Sequence, residues 1–403
     1  MKTKTTLLIC LCVAFVLLSC MGCVSCSQQK NEPYSTEVKN VQFAAYGDYV
    51  YADWGKIYRF DRETEAFTIA CTDPDCDSNR CPLECVINYF AGVSDGKVYF
   101  SSFQQFTHKT LLSYLDMETG ECVTIKTMSE AEDPVTIFSF VEDGWWYYAR
   151  KILKEGGNPD NANDYDLWLC KISLDGQNDR PIRQLKDSET IQMAGAGKVV
   201  THYSGALYTT DVQSGEVYEL YNFSENGFTH PYTDLYYLDG KIYFLAASTT
   251  TKHSEYTQKN YPLNFLLCID LTTKQARQIL DQPLCNFYLT DDAIYYVPFE
   301  LRHIYIPDDY QEQPNSVSIC LFEDAIYRCD LNGENSKKLY SNSQIDFIEN
   351  FVVIEDTLYG WLYDYNEQTH TYDKTFFGGI EFDTGRVIRT EKPQKEQATQ
   401  TEP

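Results

Sequence analysis

The chain has 403 residues, and 59 acidic side chains outweigh 33 basic ones to give a formal net charge of −26. So negative a protein repels phosphate backbones and anionic lipid headgroups, which argues against nucleic acid as a partner. Aromatic residues make up 15% of the chain, enough to fill a large core, and the length exceeds that of one ordinary domain.

In chain order, the first element is a leader. Lys2 and Lys4 precede an unbroken apolar run from Leu7 to Leu18, and Ser19-Cys20 closes it. A membrane-spanning helix needs roughly 20 apolar residues, so a signal peptide over 1–19 is the better reading. Leu17-Leu18-Ser19-Cys20 resembles the bacterial lipobox, although Leu18 stands where that motif usually has a small residue. This makes Cys20 the expected site of lipidation. Cys23 and Cys26 compete but lack the aliphatic residue three positions back, and an ordinary signal is the other alternative. Residues 20–40 then form a lipidated cysteine and a polar tether, and 391–403 a disordered tail.

Between tether and tail, residues 41–390 carry a repeat of about 50 residues in two interleaved halves. One half is a turn followed by an aromatic strand. Examples are Asp95-Gly96-Lys97-Val98-Tyr99-Phe100, Asp143-Gly144-Trp145-Trp146-Tyr147-Tyr148 and Asp239-Gly240-Lys241-Ile242-Tyr243-Phe244. The other half is a strand ending in an acidic turn, as at Phe60-Asp61, Leu115-Asp116, Thr210-Asp211, Ile269-Asp270 and Cys329-Asp330. In the third copy Ser173 takes the acidic place, and in the last we assign it to Asp383. Asp-Gly turns between aromatic and β-branched runs are hairpin signals. The fold class is therefore all-β: a β-propeller of about seven four-stranded blades, with six as an alternative and an open solenoid as runner-up.

Ile57-Tyr58-Arg59-Phe60-Asp61 and Ile326-Tyr327-Arg328-Cys329-Asp330, with the upstream Asp-Gly strands, resemble uncharacterised β-propeller lipoproteins of Gram-positive bacteria. These are in turn similar to the low-density-lipoprotein-receptor and TolB-type propellers. The shared motifs are those of the fold, so the resemblance implies architecture and little about activity.

With strands lettered a to d from the inside of each blade, the a–b and c–d turns share one face and are all short. Length variation falls on the b–c connections Leu153 to Asp164, Ser248 to Tyr261, His303 to Ser318 and Asn366 to Lys374, which read as loops on the opposite face. Long loops on a rigid scaffold are where function collects. The d–a connection between blades one and two lies on that same face and holds Cys71, Cys76, Cys81 and Cys85. The resemblance implies similar cysteine segments in the lipoprotein group, often with a histidine where this chain has Ser78. Two local disulfides of unassigned connectivity are the expectation outside the cytoplasm. A zinc site is the alternative, although the paired two-residue gaps of zinc ribbons are missing.

The other cysteines of the repeat region (Cys122, Cys170, Cys268, Cys285, Cys320 and Cys329) share no ring position and read as small buried hydrophobes. The six histidines show no metal spacing. Asn158 to Asp166 is rich in oxygen ligands but lacks the pattern of a calcium loop, so a solvated polar loop is preferred to calcium. Tyr261, Tyr305, Tyr310, Tyr365 and Tyr372 sit on the long loops, where sugars stack on aromatic rings.

These readings converge on an extracytoplasmic lipoprotein on the outer face of a bacterial cell membrane. It is read as a non-catalytic propeller without a cofactor that binds a protein, peptide or glycan at the loop-rich face. A glycan hydrolase or lyase using channel carboxylates is one alternative, and an envelope assembly factor is another.

Overall fold

A hairpin with right-handed strand twist is best closed by two residues at positive φ, which Asp and Gly adopt more cheaply than most. The pairs Asp95-Gly96, Asp143-Gly144 and Asp239-Gly240 do this with φ of 50° and 70°, 47° and 75°, and 47° and 73°. Each joins strands a and b of its blade in the computed structural model. The structure describes residues 43–390 except 54–55, 72–80, 85–86, 105–106, 130, 133–138, 234, 254–259, 306–317, 323–324, 342–346 and 367–370. The expected leader, Cys20, the tether and the tail lie outside these.

The described strands form seven separate antiparallel sheets, one after another along the chain, arranged as a seven-bladed β-propeller. Five are plain four-stranded meanders. In blade five, strand a is split into Phe228–Pro231 and Tyr236–Leu238, both paired with strand b, Lys241–His253. Blade six has an added strand, Ser318–Phe322, on the outer half of its strand b, Ala293–Tyr305. Among the described residues there is no α-helix, only three single 3-10 turns.

Side chains alternate across each strand, so every blade supplies two apolar faces, one to each neighbour. In blade five Ile242, Phe244 and Ala246 join the core shared with blades three and four. Tyr243 and Leu245 join the core shared with blades six, seven and one. Innermost strands crowd together. A Cβ on Gly195, in strand a of blade four, would lie 2.7 Å from the ring of Tyr237 in strand a of blade five.

The acidic position at the end of strand c is a turn-forming device. Asp116 Oδ1 accepts N–H groups from Glu118 at 3.1 Å and Thr119 at 2.9 Å. Asp61, Asp211, Asp270 and Asp330 make the same double contact in their own turns. Such donors favour the ionised carboxylate. The N–H groups of Ser214, Thr273 and Glu334 accordingly lead the contacts that hold Asp211, Asp270 and Asp330 below the usual range. Ser173 does occupy this place in blade three, and Asp175 there accepts from Gln177 N instead.

In blade seven the place belongs to Glu381, which pairs with Thr357 as Asp116 pairs with Lys97. The assignment to Asp383 is thereby corrected. In blades one to five and in blade seven the residue after this position then donates its N–H to the a–b turn of the same blade, as in Met117 to Gly96 O, Leu271 to Gly240 O and Phe382 to Asp356 O. That bond sets the register in blade seven.

Candidate functional site: the hairpin face

The b–c hairpins differ sharply in length. Strands b and c are 5 residues each in blade one and 6 each in blade four. They reach 13 and 11 residues in blade five, and 10 and 11 in blade seven. Blade three has 9 and 9, and strand b of blade six has 13. At about 3.3 Å per residue, the ribbon of blade five rises about 20 Å beyond that of blade four.

Much of what reads as loop in the sequence is therefore paired strand. In blade five Thr251, Lys252 and His253 pair with Pro262, Tyr261 and Asn260. The segment from Thr249 to His253 is exposed on both faces. With neither face buried, no apolar alternation marks it as strand.

The aromatic candidates are distributed along these ribbons. Tyr365 and Tyr372 are cross-strand partners in blade seven, and Tyr305 pairs with Ser318 in blade six. Half-buried Tyr261 sits opposite Lys252. Tyr310 lies outside the described residues.

At the tip of blade three, the oxygen-rich segment folds on itself. Asp164 Oδ2 accepts from Asn158 N at 2.9 Å, Asn158 Oδ1 from Asp160 N at 3.1 Å, and Asn161 Oδ1 from Asn163 N at 3.2 Å. Lys154 Nζ donates to Asn163 O at 2.9 Å and lies 3.5 Å from Asp166. The oxygens that suggested a cation site thus serve the turn's own backbone.

Of the histidines, His253 bonds Asn260 Oδ1 through Nδ1, and His230 Nδ1 meets the Thr229 hydroxyl. Burial, assisted by the nearby His230, pushes the imidazole of His202 below its usual value.

The four-cysteine connection is described at two of its thiols. Cys71 and Cys81 lie with their sulfurs 3.6 Å apart, whereas Cys76 and Cys85 fall outside the described residues. No group of three or more His, Cys, Asp or Glu side chains among the described residues is arranged to hold a metal. Cys170, Cys268 and Cys329 are buried, as expected for small hydrophobes. Burial pushes the thiols of Cys170 and Cys329 up to about 11 and about 12. Cys122 and Cys285 are half-buried, and Cys320 lies on the added strand of blade six.

Two charged networks between blades escape any sequence reading. Between blades three and four, Arg183 donates to both carboxylate oxygens of Glu189, with Nη1 to Oε2 at 3.1 Å and Nη2 to Oε1. Its Nε donates to Thr210 at 2.8 Å, and the Thr201 hydroxyl and Lys186 N also donate to Glu189. Glu189 is only 3% exposed. Burial alone would raise its pKa, but these donors outweigh burial and hold it below the usual value.

Between blades two and three, Asp179 accepts from Lys126 at 2.7 Å, Tyr148 at 2.6 Å and Arg150 at 3.0 Å. It too is held low against burial, chiefly by Lys126 and Tyr148. Arg183 and Glu189 come together only because a strand d and the link after it turn back onto the next blade.

No protein-family model matches the chain, and no curated protein matches it. Among solved structures it is similar to a prolyl endopeptidase, with 10% identity and a TM-score of 0.49, over 89% of this chain and 50% of that one. The chain thus spans about half the length of that enzyme. It is similar to the β-propeller domain of the Trilobed protease from Pyrococcus furiosus, described as having an open velcro topology. Identity there is 11% and the TM-score 0.46, over 90% of this chain and 99% of that domain. It is also similar to TolB from Acinetobacter baumannii, with 12% identity and a TM-score of 0.31, over 76% of this chain and 68% of that one. At these identities the likeness is one of fold alone.

Proposed function

We propose that the chain is a lipid-anchored propeller on the outer face of a bacterial cell membrane, and that its hairpin face binds a protein, peptide or glycan without transforming it. The observation that carries this reading is the asymmetry of the two faces. One face consists of tight turns, whereas ribbons in blades three, five, six and seven stand out on the other. An isolated two-stranded ribbon buries little apolar area and is marginal in water. Ribbons mounted on blades are presented ready-ordered, which lowers the entropic cost of binding.

Among the described residues, the acidic side chains whose acidity the fold alters (Asp61, Asp116, Asp175, Asp179, Glu189, Asp211, Asp270, Asp330 and Glu381) are shifted downward. A general acid needs the opposite shift. The anchor rests on Leu17-Leu18-Ser19-Cys20 and the tether to residue 40. Cys20→Ala is expected to abolish incorporation of an alkyne fatty acid and release the protein from the membrane. Undiminished labelling would move the anchor to Cys23 or Cys26.

The binding reading is tested with the mature chain and a variant in which residues 248–263 are replaced by Ser-Gly, the turn of blade four. Ala247 and Asn264 are cross-strand partners, so the shortened hairpin remains closable. Arrayed cell-wall glycans and a displayed peptide library are the probes. The expected result is saturable binding without degradation, weakened at least tenfold in the variant while its thermal midpoint is retained. Progressive shortening of a glycan would establish catalysis instead. Binding unaffected by removal of the ribbons of blades three, five, six and seven would defeat the assignment of the face.

A further inference from the structure

We propose that Cys71 and Cys81 are partners in a single disulfide that staples the connection between blades one and two to the core beneath it. Cys71 follows strand d of blade one, Phe67–Ile69, where Ala70 N still donates to Ile57 O at 2.9 Å. Cys81 immediately precedes the 3-10 turn Pro82–Glu84, which leads to strand a of blade two, Ile87–Ser94. The two described ends of the connection lie side by side, with their sulfurs 3.6 Å apart. A disulfide bond is about 2.05 Å long, so closing the pair takes a movement of about 1.5 Å, within reach of side-chain rotation.

The surroundings favour a neutral product. Cys81 is buried with Leu83, Phe90, Phe100 and Leu115, and Cys71 packs against the same cluster. Zinc requires thiolates, and placing two of them against this wall would bury charge in apolar surroundings. A disulfide carries no charge and leaves no S–H donor unpaired. Of the three ways to connect four cysteines, this contact selects the one that joins Cys71 to Cys81.

The oxidant is a small-molecule disulfide. Half-buried Cys71, the more accessible of the two, attacks as thiolate, forming a mixed disulfide and releasing one thiol. Cys81, deprotonated in turn, attacks the Cys71 sulfur and releases the second thiol. Two S–H bonds of the protein are lost, and the reagent's disulfide is reduced to two thiols.

The test uses the complete mature chain carrying Cys76→Ser and Cys85→Ser, equilibrated with glutathione disulfide and glutathione, alkylated and mapped as peptides. The expected result is a linked Cys71–Cys81 peptide with the loss of two hydrogens, absent when Cys71→Ser is added. In the wild-type chain, cleavage at Asp73-Pro74, after Arg80 and after Glu84 separates all four cysteines and should yield the same link. Full alkylation of both thiols, or linkage of either to Cys122, which packs against the same cluster, would overturn the proposal. So would one equivalent of zinc, retained by the wild-type chain and protecting all four thiols. None of these outcomes bears on whether the hairpin face binds.

Discussion

The seam that closes the ring and the seam between blades three and four both pack apolar side chains, but they differ in what they add to that packing. Blades seven and one meet through aromatic rings. Phe377 stacks on Phe67 at 5.1 Å and contacts Phe60 at 5.4 Å and Phe43 at 6.2 Å, while Phe60 also meets Tyr359 at 5.6 Å. Every blade is built from consecutive strands, and no strand is exchanged between the first and last blades among the described residues. The rim adds the exposed ion pair Arg386–Glu65, a contact that stabilises little in water, and half-buried Arg62 reaches exposed Glu355 at 3.8 Å.

Blades three and four also share an apolar core, and add to it the buried Arg183–Glu189 network. They are already held together by the short link after Gln184, so a directional, geometry-sensitive contact costs little extra ordering. At the closing seam the chain ends meet across the whole fold. Non-directional apolar area tolerates the small mismatches such a closure brings.

The largest effect should follow from ending the chain at Tyr340, which deletes blade seven and bares the rings of blade one. The product should aggregate when its refolding is followed by size exclusion. A soluble monomer retaining native near-ultraviolet dichroism would break the view that this seam closes the fold.

Next in size is Phe377→Ala. The side chain is fully buried, and its loss should cost about 3–5 kcal/mol in urea denaturation. A loss below about 1 kcal/mol, the scale of an ordinary surface change, would show that the rings are not what holds the blades.

Arg183→Met should cost about 3 kcal/mol, because it strands a buried carboxylate. Arg183→Met combined with Glu189→Leu should recover most of that loss. If the double variant is no better than the single one, the network does more than satisfy its own charges.

The smallest effect is a pH dependence. Glu189 has a folded-state pKa below the ordinary 4.5. Its contribution is therefore complete above that value and lost as pH falls through the folded one. The stability gap between wild type and Glu189→Gln should narrow below about pH 4.5. A constant gap from pH 7 to 3 would mean that the carboxylate's charge is not what Arg183 recognises.

How far the sequence could be read tracks how local each feature is. The Asp-Gly hairpins and the acidic c–d turns are each decided within a few residues, so they stood out in the chain. The slip from Glu381 to Asp383 is instructive, because both residues of Glu381-Phe382-Asp383 are acidic and alternate in phase. The pairing of Glu381 with Thr357 and the bond from Phe382 N to Asp356 O, both between elements distant in the chain, separate them. The ribbon of blade five reads as loop in the sequence because a strand exposed on both faces has no apolar period to betray it.

The sequence by itself determined the repeat, the turn chemistry and which face carries the variation, because backbone sterics and strand alternation act over short stretches; the count of seven blades rather than six came from the structure. Tertiary structure alone decided that aromatic rings close the ring of blades, that Arg183 meets Glu189 and that Cys71 meets Cys81. Those contacts depend on the angle at which one blade is laid against the next. That angle is set by side chains packing from both blades at once, which no single stretch of sequence contains.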